Sequence, residues 1–395
     1  MDQKLDQSIE ECTNVFSERS LEVDRNNSFP INNFKLLNEK GLLELPVSEK
    51  YGGHELALGG DHELYVNVLS EISAACPNTG HCFGTHCWAL SSIRLLGTEE
   101  QHEYFANQAK DGAIFANFGS EPDQDFTSDG ERVEYNTTAS EEGDGWIING
   151  KKFFATNSTH ADYQAVYALP EGGELKDLIV PIVSSEWDGI TVHDTWDGMG
   201  QRSTASGMVE FNDVFVPKDH VVGEPGSIVE YGHVGTSAAI TIGSILLGIG
   251  KGALEFSKWW LDNESKPPTD RDNLSEDPHV QLRIGDMDIH MNAAEELLHR
   301  SARTLEKAES AEDPDLDAKA KADAFRARVM ATRASVETSS QLFNVTGARS
   351  TSRQFGSDLY WRCARTLSLH DVVDKQITDI ARYILGLDER GGFAR

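Results

Sequence analysis

The chain has 395 residues, of which 39% are hydrophobic, and its 35 basic and 65 acidic residues give a formal charge of −30. This length allows two or three domains, or one large multi-layer domain with a sizeable core. So acidic a chain is a poor binder of nucleic acid or of an anionic membrane, because both need clustered lysine and arginine.

The acidic residues are spread over loops such as SEEGDG, SAEDPDLD and NLSEDP, so we expect a solvated acidic surface. We hypothesise an organism with a high-salt cytoplasm, where charges are screened within about 3 Å near 1 M salt. Best activity in dilute buffer would contradict this hypothesis. The start MDQKLDQSIEEC has no signal-peptide pattern, and five cysteines do not favour a secreted disulfide framework, so we expect a cytoplasmic protein.

Residues 1–111 have the apolar spacing of an N-terminal all-helical domain. LDQSIEECTNVFSERSLEVD is amphipathic, and NFKLLNEKGLLEL predicts a helix that stops near a glycine. After the loop PVSEKYGG, two more helices are predicted in HELYVNVLSEISAAC and CWALSSIRLLG.

Several cysteines and histidines of this domain invite comparison with a metal site, namely Cys76, His81, Cys82, His86 and Cys87. Their spacing lacks the CxxC pairs of structural zinc sites. Free cysteine is a common small core residue, and GTHCWALSSIRLL has the periodicity of a buried helix. We therefore expect core and pocket-lining residues and no metal.

Residues 112–225 contain short β-rich runs separated by Gly, Pro and Asp turns, as in YQAVYAL, LIVPIV, ITVHD and MVEFNDVFV. Runs at this spacing predict a middle domain that is a β-barrel or β-sandwich. In GWIINGKKFFATN, β-rich runs flank Asn149-Gly150, and this dipeptide predicts a hairpin turn.

Residues 226–395 are helical again, and long apolar periodicities predict a C-terminal four-helix-bundle domain, so the fold class is multidomain α+β. The most apolar stretch, Ala238 to Ile249, is too short and too rich in Gly, Ser and Thr to span a bilayer. GIGKGA lacks the spacing of a phosphate loop, which favours close helix packing. ESKPPTDRDNLSEDP is predicted to be a surface loop.

The stretch LSLHDVVDK, residues 367–375, predicts the start of a further helix and sets His370 beside Asp371. Adjacent helical side chains point about 100° apart, so two such residues seldom serve one task together. One of them is a candidate for chemistry. The alternative is a helix N-terminus, where Asp371 favours the dipole and His370 packs.

The order of a helical domain, a β domain and a helical bundle resembles the acyl-CoA dehydrogenase family. Six segments resemble the family's motifs in the family's order: EKGLLELPVSEKYGG, FGSEP, GWIINGKKFFATNSTHAD, GMGQRSTASGMVEFNDVFVP, SSQLFNVTGA and LYWRCARTLSLHD. Each segment alone is a weak signal. Their order and spacing across nearly the whole chain are specific.

The resemblance implies a flavin, FAD in the dehydrogenases, between the β domain and the C-terminal bundle. By motif position, Ser120 falls where a hydroxyl bonds the flavin ring, with Asn117 close by. Phe154 falls where an aromatic ring covers one flavin face, and Thr156 where a hydroxyl approaches flavin N5. An aromatic face with short polar groups suits an isoalloxazine ring. The alternative for each residue is an ordinary strand position.

The resemblance also bears on assembly. Gln341 and Gly347 correspond to residues that contact the dinucleotide of a neighbouring subunit, which implies a homotetramer, or at least a dimer. The bundle lacks the family's Arg-x-x-Phe-Gly segment near the FAD pyrophosphate, and ESKPPTD stands there instead. This departure allows FMN in place of FAD.

The family's dehydrogenases remove an α-proton from an acyl-CoA thioester with a carboxylate base and send a hydride to flavin N5. Alignment of RCARTLSLHD with the family's run sets Asp371 on the catalytic Glu and His370 on its neighbour. The resemblance as a whole favours this α,β-dehydrogenation, with electron-transfer flavoprotein as partner. Asp371 is one methylene shorter than Glu, and a displacement of about 1 Å can cost about 10²-fold in rate.

The alternative is the branch of flavin monooxygenases that resemble dibenzothiophene monooxygenase. They use oxygen and reduced flavin from a reductase, and a His followed by Asn or Asp helps to hold a C4a-peroxyflavin. Arg365, Thr366, His370 and Asp371 resemble that run. A second alternative is a non-catalytic relative that keeps the fold as a binding or assembly module.

Overall fold

The computed structural model describes residues 3–123 and 134–387. Its N-terminal part is helical, as predicted, and the helices are α1 (Gln3–Asn26), α2 (Ile31–Glu39), α3 (His62–Ala75), α4 (Pro77–Leu96) and α5 (Glu99–Lys110). Local sequence explains their starts. Asp61 caps α3 by accepting the Leu64 N–H, and Thr98 and Gln101 form a reciprocal capping box at α5.

The middle part is a β-sandwich, one of the two β architectures that the sequence predicts. Its strands are β1 (Phe115–Phe118), β2 (Thr138–Glu142), β3 (Gly145–Lys152), β4 (Tyr163–Val166), β5 (Leu169–Pro170), β6 (Val180–Ser184), β7 (Ile190–His193), β8 (Met208–Pro217) and β9 (Val221–Val222). They form two sheets, in the orders β1-β4-β6-β9 and β5-β2-β3-β8-β7. Apolar side chains from both sheets form one buried cluster, so the sheets pack face to face.

The hairpin predicted at Asn149-Gly150 is wrong. β3 runs through this dipeptide, and the β2–β3 turn is at Gly143-Asp144, because Glu142 pairs with Gly145. The pairing of β3 with β8 shifts its register at Asn149. The Asn149 side chain accepts the Asp213 N–H of β8 at 2.8 Å and so stabilises this irregularity. A Cβ at Gly150 would lie 2.6 Å from Thr137 Cα, so this glycine permits close strand approach instead of a turn.

The C-terminal part is a helical bundle, as predicted, with helices α6 (Ser227–Tyr231), α7 (Val234–Asn263), α8 (Pro278–Glu309), α9 (Pro314–Thr346), α10 (Asp358–Leu367) and α11 (Val373–Ile384). α7 is long and apolar enough to cross a membrane, but 89% of its apolar window is buried inside the structure. The GIGKGA glycines allow close helix packing, as predicted, with Gly248 and Gly252 against α3 and Gly250 against α8 and α9. A Cβ on Gly248 would lie 2.3 Å from Ser70 O, and one on Gly252 2.5 Å from Ala74 O.

The N-terminal and C-terminal helices share one apolar core, which includes buried residues from α1, α3, α4, α7, α8 and α9. The predicted domain boundaries at 111 and 225 fall in the connections between α5 and β1 and between β9 and α6. The division into three domains stays a prediction. What matters for function is that the β-sandwich rests against a single continuous helical body.

The cysteines and histidines of α4 have core and pocket-lining positions. Cys82 and Cys87 are fully buried, and so is His86, whose Nε2 donates to Leu43 O at 2.9 Å. The Phe115 N–H donates to His86 Nδ1 at 3.1 Å, so the neutral imidazole ties α4 to β1. His81 lines the cavity described below.

His86 should make the fold sensitive to acid. Burial lowers its pKa to about 4, although the Leu43 carbonyl opposes the shift. An unfolded histidine titrates near 6.5, so between pH 6.5 and 4 the unfolded chain takes up a proton that the folded chain excludes. This group therefore removes up to about 1.4 kcal/mol of stability per pH unit as pH falls. Urea unfolding at several pH values should show a shallower decline in His86→Gln, and equal declines would contradict the account.

Candidate active site

A cavity of about 450 Å³ lies where the β-sandwich meets the helices. Its walls come from α4, α7, the β1, β3 and β8 ends of the sandwich and the α10–α11 connection. The lining residues are His81, Gly84, Thr85, Trp88, Asn117, Gly119, Ser120, Phe154, Thr156, Trp196, Gln201, Ser206, Ala238, Thr241, Ile242, Ile245, Thr366, Leu367, Leu369 and His370. The structure thus brings together all four flavin-binding residues predicted in the β domain, with His370.

Two loops of the β-sandwich form one side of the cavity, residues 153–158 after β3 and 200–207 before β8. They are joined by backbone hydrogen bonds from Ala155 N to Gly207 O at 3.1 Å and from Asn157 N to Thr204 O at 3.0 Å. Phe154 and Gln201 both have φ of 53°, a conformation that costs energy for residues other than glycine. Strained backbone of this kind clusters at functional sites.

Asn157 fixes the first loop to the rest of the protein. Its amide is fully buried and donates to Cys82 O and to Phe115 O, both at 3.0 Å. The loop that carries Phe154 and Thr156 is therefore tied to both α4 and β1. A rigid support of this kind holds cavity-lining side chains at fixed positions.

The donor set of the cavity fits a flavin. Phe154 offers an exposed aromatic face, with 57% of its surface accessible, and Trp196 packs against its edge at a centroid distance of 6.0 Å. Within the described residues, Asn117 Oδ1 and Thr366 Oγ1 are buried without a hydrogen-bond partner. Orphaned polar atoms beside an aromatic face are what a heteroaromatic ring with polar edges would satisfy.

His370 and Asp371 do not lie on a helix, so that part of the sequence prediction is wrong. α10 ends at Leu367 and α11 begins at Val373, and the pair occupies the connection. In this turn His370 Nδ1 lies 3.3 Å from Asp371 Oδ1. The two side chains therefore act together, contrary to the expectation from helical geometry. His370 lines the cavity, whereas Asp371 is absent from its described lining.

A buried arginine that the sequence did not single out supports this turn. Arg328 on α9 is fully buried, donates to Leu367 O at 3.3 Å and also donates to Thr332 Oγ1. Its Nε lies 3.9 Å from Asp371 Oδ2. Burial opposes ionisation of Asp371, but His370 and Arg328 outweigh it and lower the pKa of this carboxyl to about 2. Asp371 is therefore a carboxylate that serves as a structural partner of His370 and Arg328.

His81 is a second histidine of the cavity, and no local motif marks it as functional. Burial above all, and then the nearby His370, lower its pKa to about 3, against an opposing effect of Gln201. The imidazole is therefore neutral at physiological pH. A neutral histidine can both accept and donate a hydrogen bond to a ligand.

The two residues predicted to contact a neighbouring subunit's cofactor lie outside this cavity. Gln341 is on α9, where its Oε1 accepts from Arg283 Nη1 at 2.7 Å. Gly347 ends α9 with φ of 72°, in the left-handed region. Their role across a subunit interface stays a prediction.

A buried ion pair lies behind the wall that carries Ser120. Lys152 at the end of β3 and Glu121 have fully buried side chains, with Nζ 2.6 Å from Oε1. Lys152 also donates to Tyr167 O at 2.6 Å, and Glu121 accepts the N–H groups of Asn136 and Thr137. Burial alone would raise the pKa of Glu121, but Lys152 holds it below its usual value. The pair fixes Glu121, the residue directly after Ser120.

Family models match most of the chain. The acyl-CoA dehydrogenase N-terminal domain matches residues 4–112, the middle domain matches residues 118–214, and the C-terminal domain matches residues 240–375. The three matches follow one another in the order that the structure shows.

Individual proteins agree with these models. Dibenzothiophene monooxygenase of Rhodococcus qingshengii is 29% identical over 363 residues, which cover 88% of this chain and 85% of that protein. The structure of TdsC from Paenibacillus sp. A11-2 with FMN and indole is 27% identical, with a TM-score of 0.89 over 100% of both chains. A probable acyl-CoA dehydrogenase of Bacillus subtilis is 26% identical over 311 residues, 76% of this chain and 78% of that protein. The chain therefore belongs to the acyl-CoA dehydrogenase family and is an enzyme of its flavin-dependent oxidoreductase type.

Proposed function

We propose that this protein is a monooxygenase that uses reduced FMN and dioxygen to oxygenate a small, largely apolar molecule. One oxygen atom enters the substrate and the other leaves as water, with two electrons from the reduced flavin. This alternative is better supported than the α,β-dehydrogenation that the sequence resemblance favours. FMN is proposed over FAD because ESKPPTD replaces the pyrophosphate-associated segment, and because TdsC binds FMN.

One observation carries the choice between the two reactions. Dehydrogenation of an acyl thioester needs a carboxylate base that faces the substrate, with a pKa suited to proton abstraction. Among the described residues that line the cavity there is no aspartate and no glutamate. Asp371, the candidate base, is held by His370 and Arg328 at a pKa of about 2, which makes it a weak base. The titratable groups on the described wall are the two histidines.

In the proposed reaction, bound reduced flavin supplies the electrons that activate dioxygen. His370 donates a proton to the reacting oxygen, and Asp371 holds its ring in place through Nδ1. His81 is neutral, so it binds the ligand without adding charge to the cavity. Ile242, Ile245 and Trp88 exclude water and receive the apolar part of the substrate.

The remaining roles follow from the same proposal. Asn117, Ser120, Phe154 and Thr156 bind the flavin ring, and Gln341 and Gly347 contact the cofactor of a neighbouring subunit in a homotetramer or dimer. A separate flavin reductase supplies reduced FMN, so it is the expected partner in place of electron-transfer flavoprotein. The protein is expected in the cytoplasm, where reduced nicotinamide is available to such a reductase.

The proposal predicts opposite outcomes in two assays of the FMN-loaded protein. Anaerobic butyryl-CoA should leave the yellow absorbance of oxidised FMN unchanged, because the described lining of the cavity contains no carboxylate. With a flavin reductase, NADH and air, the probes dibenzothiophene and indole should gain oxygen, measured by mass spectrometry. Anaerobic bleaching by the acyl-CoA ester would contradict the proposal and favour dehydrogenation. Failure to bind any flavin would favour a non-catalytic relative.

A further inference from the structure

A chain of three hydroxyl groups runs from the cavity wall into the β-sandwich. Thr156 Oγ1 lies 2.8 Å from Ser206 Oγ, which lies 2.7 Å from Thr204 Oγ1. Thr204 Oγ1 then donates to the backbone carbonyl of Gln201 at 2.9 Å. Thr156 and Ser206 line the cavity, and all three side chains are buried.

The direction of the hydrogen bonds in this chain is fixed by its inner end. Two oxygen atoms within about 2.9 Å repel each other unless a proton lies between them, and a carbonyl has no proton to give. Thr204 must therefore donate to Gln201 O, Ser206 must donate to Thr204, and Thr156 must donate to Ser206. Three contacts use three hydroxyl protons, so none is left to point into the cavity.

The hydroxyl groups of Thr156 and Ser206 thus present lone pairs, and no proton, to the cavity. A ligand that meets it gains a hydrogen bond if it offers an N–H or O–H there, and meets repulsion if it offers another lone pair. Reduction of an isoalloxazine ring adds an N–H donor at N5, a position that is an acceptor in the oxidised ring.

We propose that the chain Thr156–Ser206–Thr204 makes this enzyme bind reduced flavin in preference to oxidised flavin. The inference rests on the proposed function, because it takes the cavity to be the flavin site. Thr156 is the binding residue in this account. Ser206 and Thr204 are positioning residues that hold its proton away from the ligand. The consequence suits an enzyme that receives its cofactor reduced and must release it oxidised.

The test measures binding and needs no turnover. Dissociation constants for oxidised FMN and for dithionite-reduced FMN are determined by anaerobic equilibrium dialysis with the full chain. The wild type should bind reduced FMN more tightly. In Ser206→Ala the Thr156 proton loses its inward acceptor and turns to the cavity. The ratio of the oxidised to the reduced dissociation constant should then fall about threefold to tenfold, the effect of one hydrogen bond.

A second variant guards against an unrelated effect of the first. Thr204→Val keeps the shape of the side chain but removes the hydrogen bond to Gln201 O. It should therefore also lower the ratio of the oxidised to the reduced FMN dissociation constant. The matched control is Ser158→Ala. Ser158 is also buried in the loop 153–158, but it donates to Ala205 O at 2.8 Å and is not part of the three-hydroxyl chain. Its ratio should equal that of the wild type. A tenfold fall should also lower the midpoint potential of bound flavin by about 30 mV.

The outcomes separate this inference from the function on which it rests. Lowered ratios in Ser206→Ala and Thr204→Val, with an unchanged ratio in Ser158→Ala, would support the inference. An unchanged ratio in Ser206→Ala and Thr204→Val, with both forms of FMN still bound, would overturn the inference and leave the proposed function standing. Absence of binding of either form to the wild type would overturn both.

Discussion

Replacing His370 by alanine is expected to lower product formation from the probe dibenzothiophene by about 10² to 10⁴-fold, the usual contribution of a positioned acid or base. His370 lines the cavity and can deliver a proton there while Asp371 holds its Nδ1 side. Binding of FMN should be nearly unchanged. The His370 side chain is substantially exposed, and its removal leaves no fully buried partner without a contact. Hydrogen peroxide release should rise as oxygenation fails.

The neighbouring carboxylate provides the matched comparison. Asp371→Asn should cost less than His370→Ala, because the amide can still contact Nδ1 and Asp371 does not line the cavity. The dehydrogenase alternative ranks the two in the opposite order, since there Asp371 is the base. Rates for both variants with dibenzothiophene and with butyryl-CoA decide the order. A larger loss in Asp371→Asn than in His370→Ala would contradict the assignment of roles.

The largest effect on stability is expected from Lys152→Met. Glu121 would then keep a fully buried carboxylate without its cationic partner, and breaking such a pair typically costs about 3–5 kcal/mol. The change also removes the bond to Tyr167 O and the contact of Nζ with the Tyr135 ring, 4.6 Å from its centroid. The thermal unfolding midpoint should fall by several degrees. Loss of flavin affinity should accompany it, because the pair fixes Glu121, the residue directly after Ser120.

The adjacent lysine is a natural control. Lys151 pairs with Glu210 at 2.9 Å on the surface, and both side chains are substantially exposed. Exposed pairs contribute about 0–1 kcal/mol, so Lys151→Met should leave the midpoint almost unchanged. The double variant Glu121→Gln/Lys152→Met should recover part of the loss, because it leaves no unpaired buried charge. Equal midpoints for Lys151→Met and Lys152→Met would show that the buried pair has no such role.

Long periodic segments were predictable from the sequence because their signal is local and repeated. The long apolar periodicities of residues 226–395 predict long helices, and α7, α8 and α9 are the long helices observed there. The family resemblance placed Asn117, Phe154 and Thr156 together because it carries three-dimensional information that the residues alone lack. All three residues line the cavity, and their role in binding flavin stays a prediction.

The failures have a common physical cause, which is a partner distant in sequence. Asn149-Gly150 has the local signature of a turn, but Asn149 is bonded to Asp213, 64 residues away. The surroundings of Asp371 are set in the same way, because Arg328 on α9 lies 3.9 Å from its carboxylate. Nothing in the stretch AFRARVM marks one arginine as fully buried, since a helix position alone does not reveal what packs against it.

The cavity residues that sequence reasoning missed belong to the same class. Gln201 and Ser206 are ordinary loop residues, and they become part of a site because α4 and two β-sandwich loops meet. Ser206 carried one weak signal, its place within the motif GMGQRSTASGMVEFNDVFVP. The hydroxyl chain to Thr156 is visible only when the two loops are joined.

The most direct test of the whole account is a crystal structure of the protein soaked with FMN. We predict that the isoalloxazine ring occupies the 450 Å³ cavity, with Phe154 against one face, Thr156 at its edge and His370 within reach of the reacting side. Electron density for the ring elsewhere, or a ring that the α10–α11 connection does not approach, would contradict the assignment of both the cofactor site and the reaction.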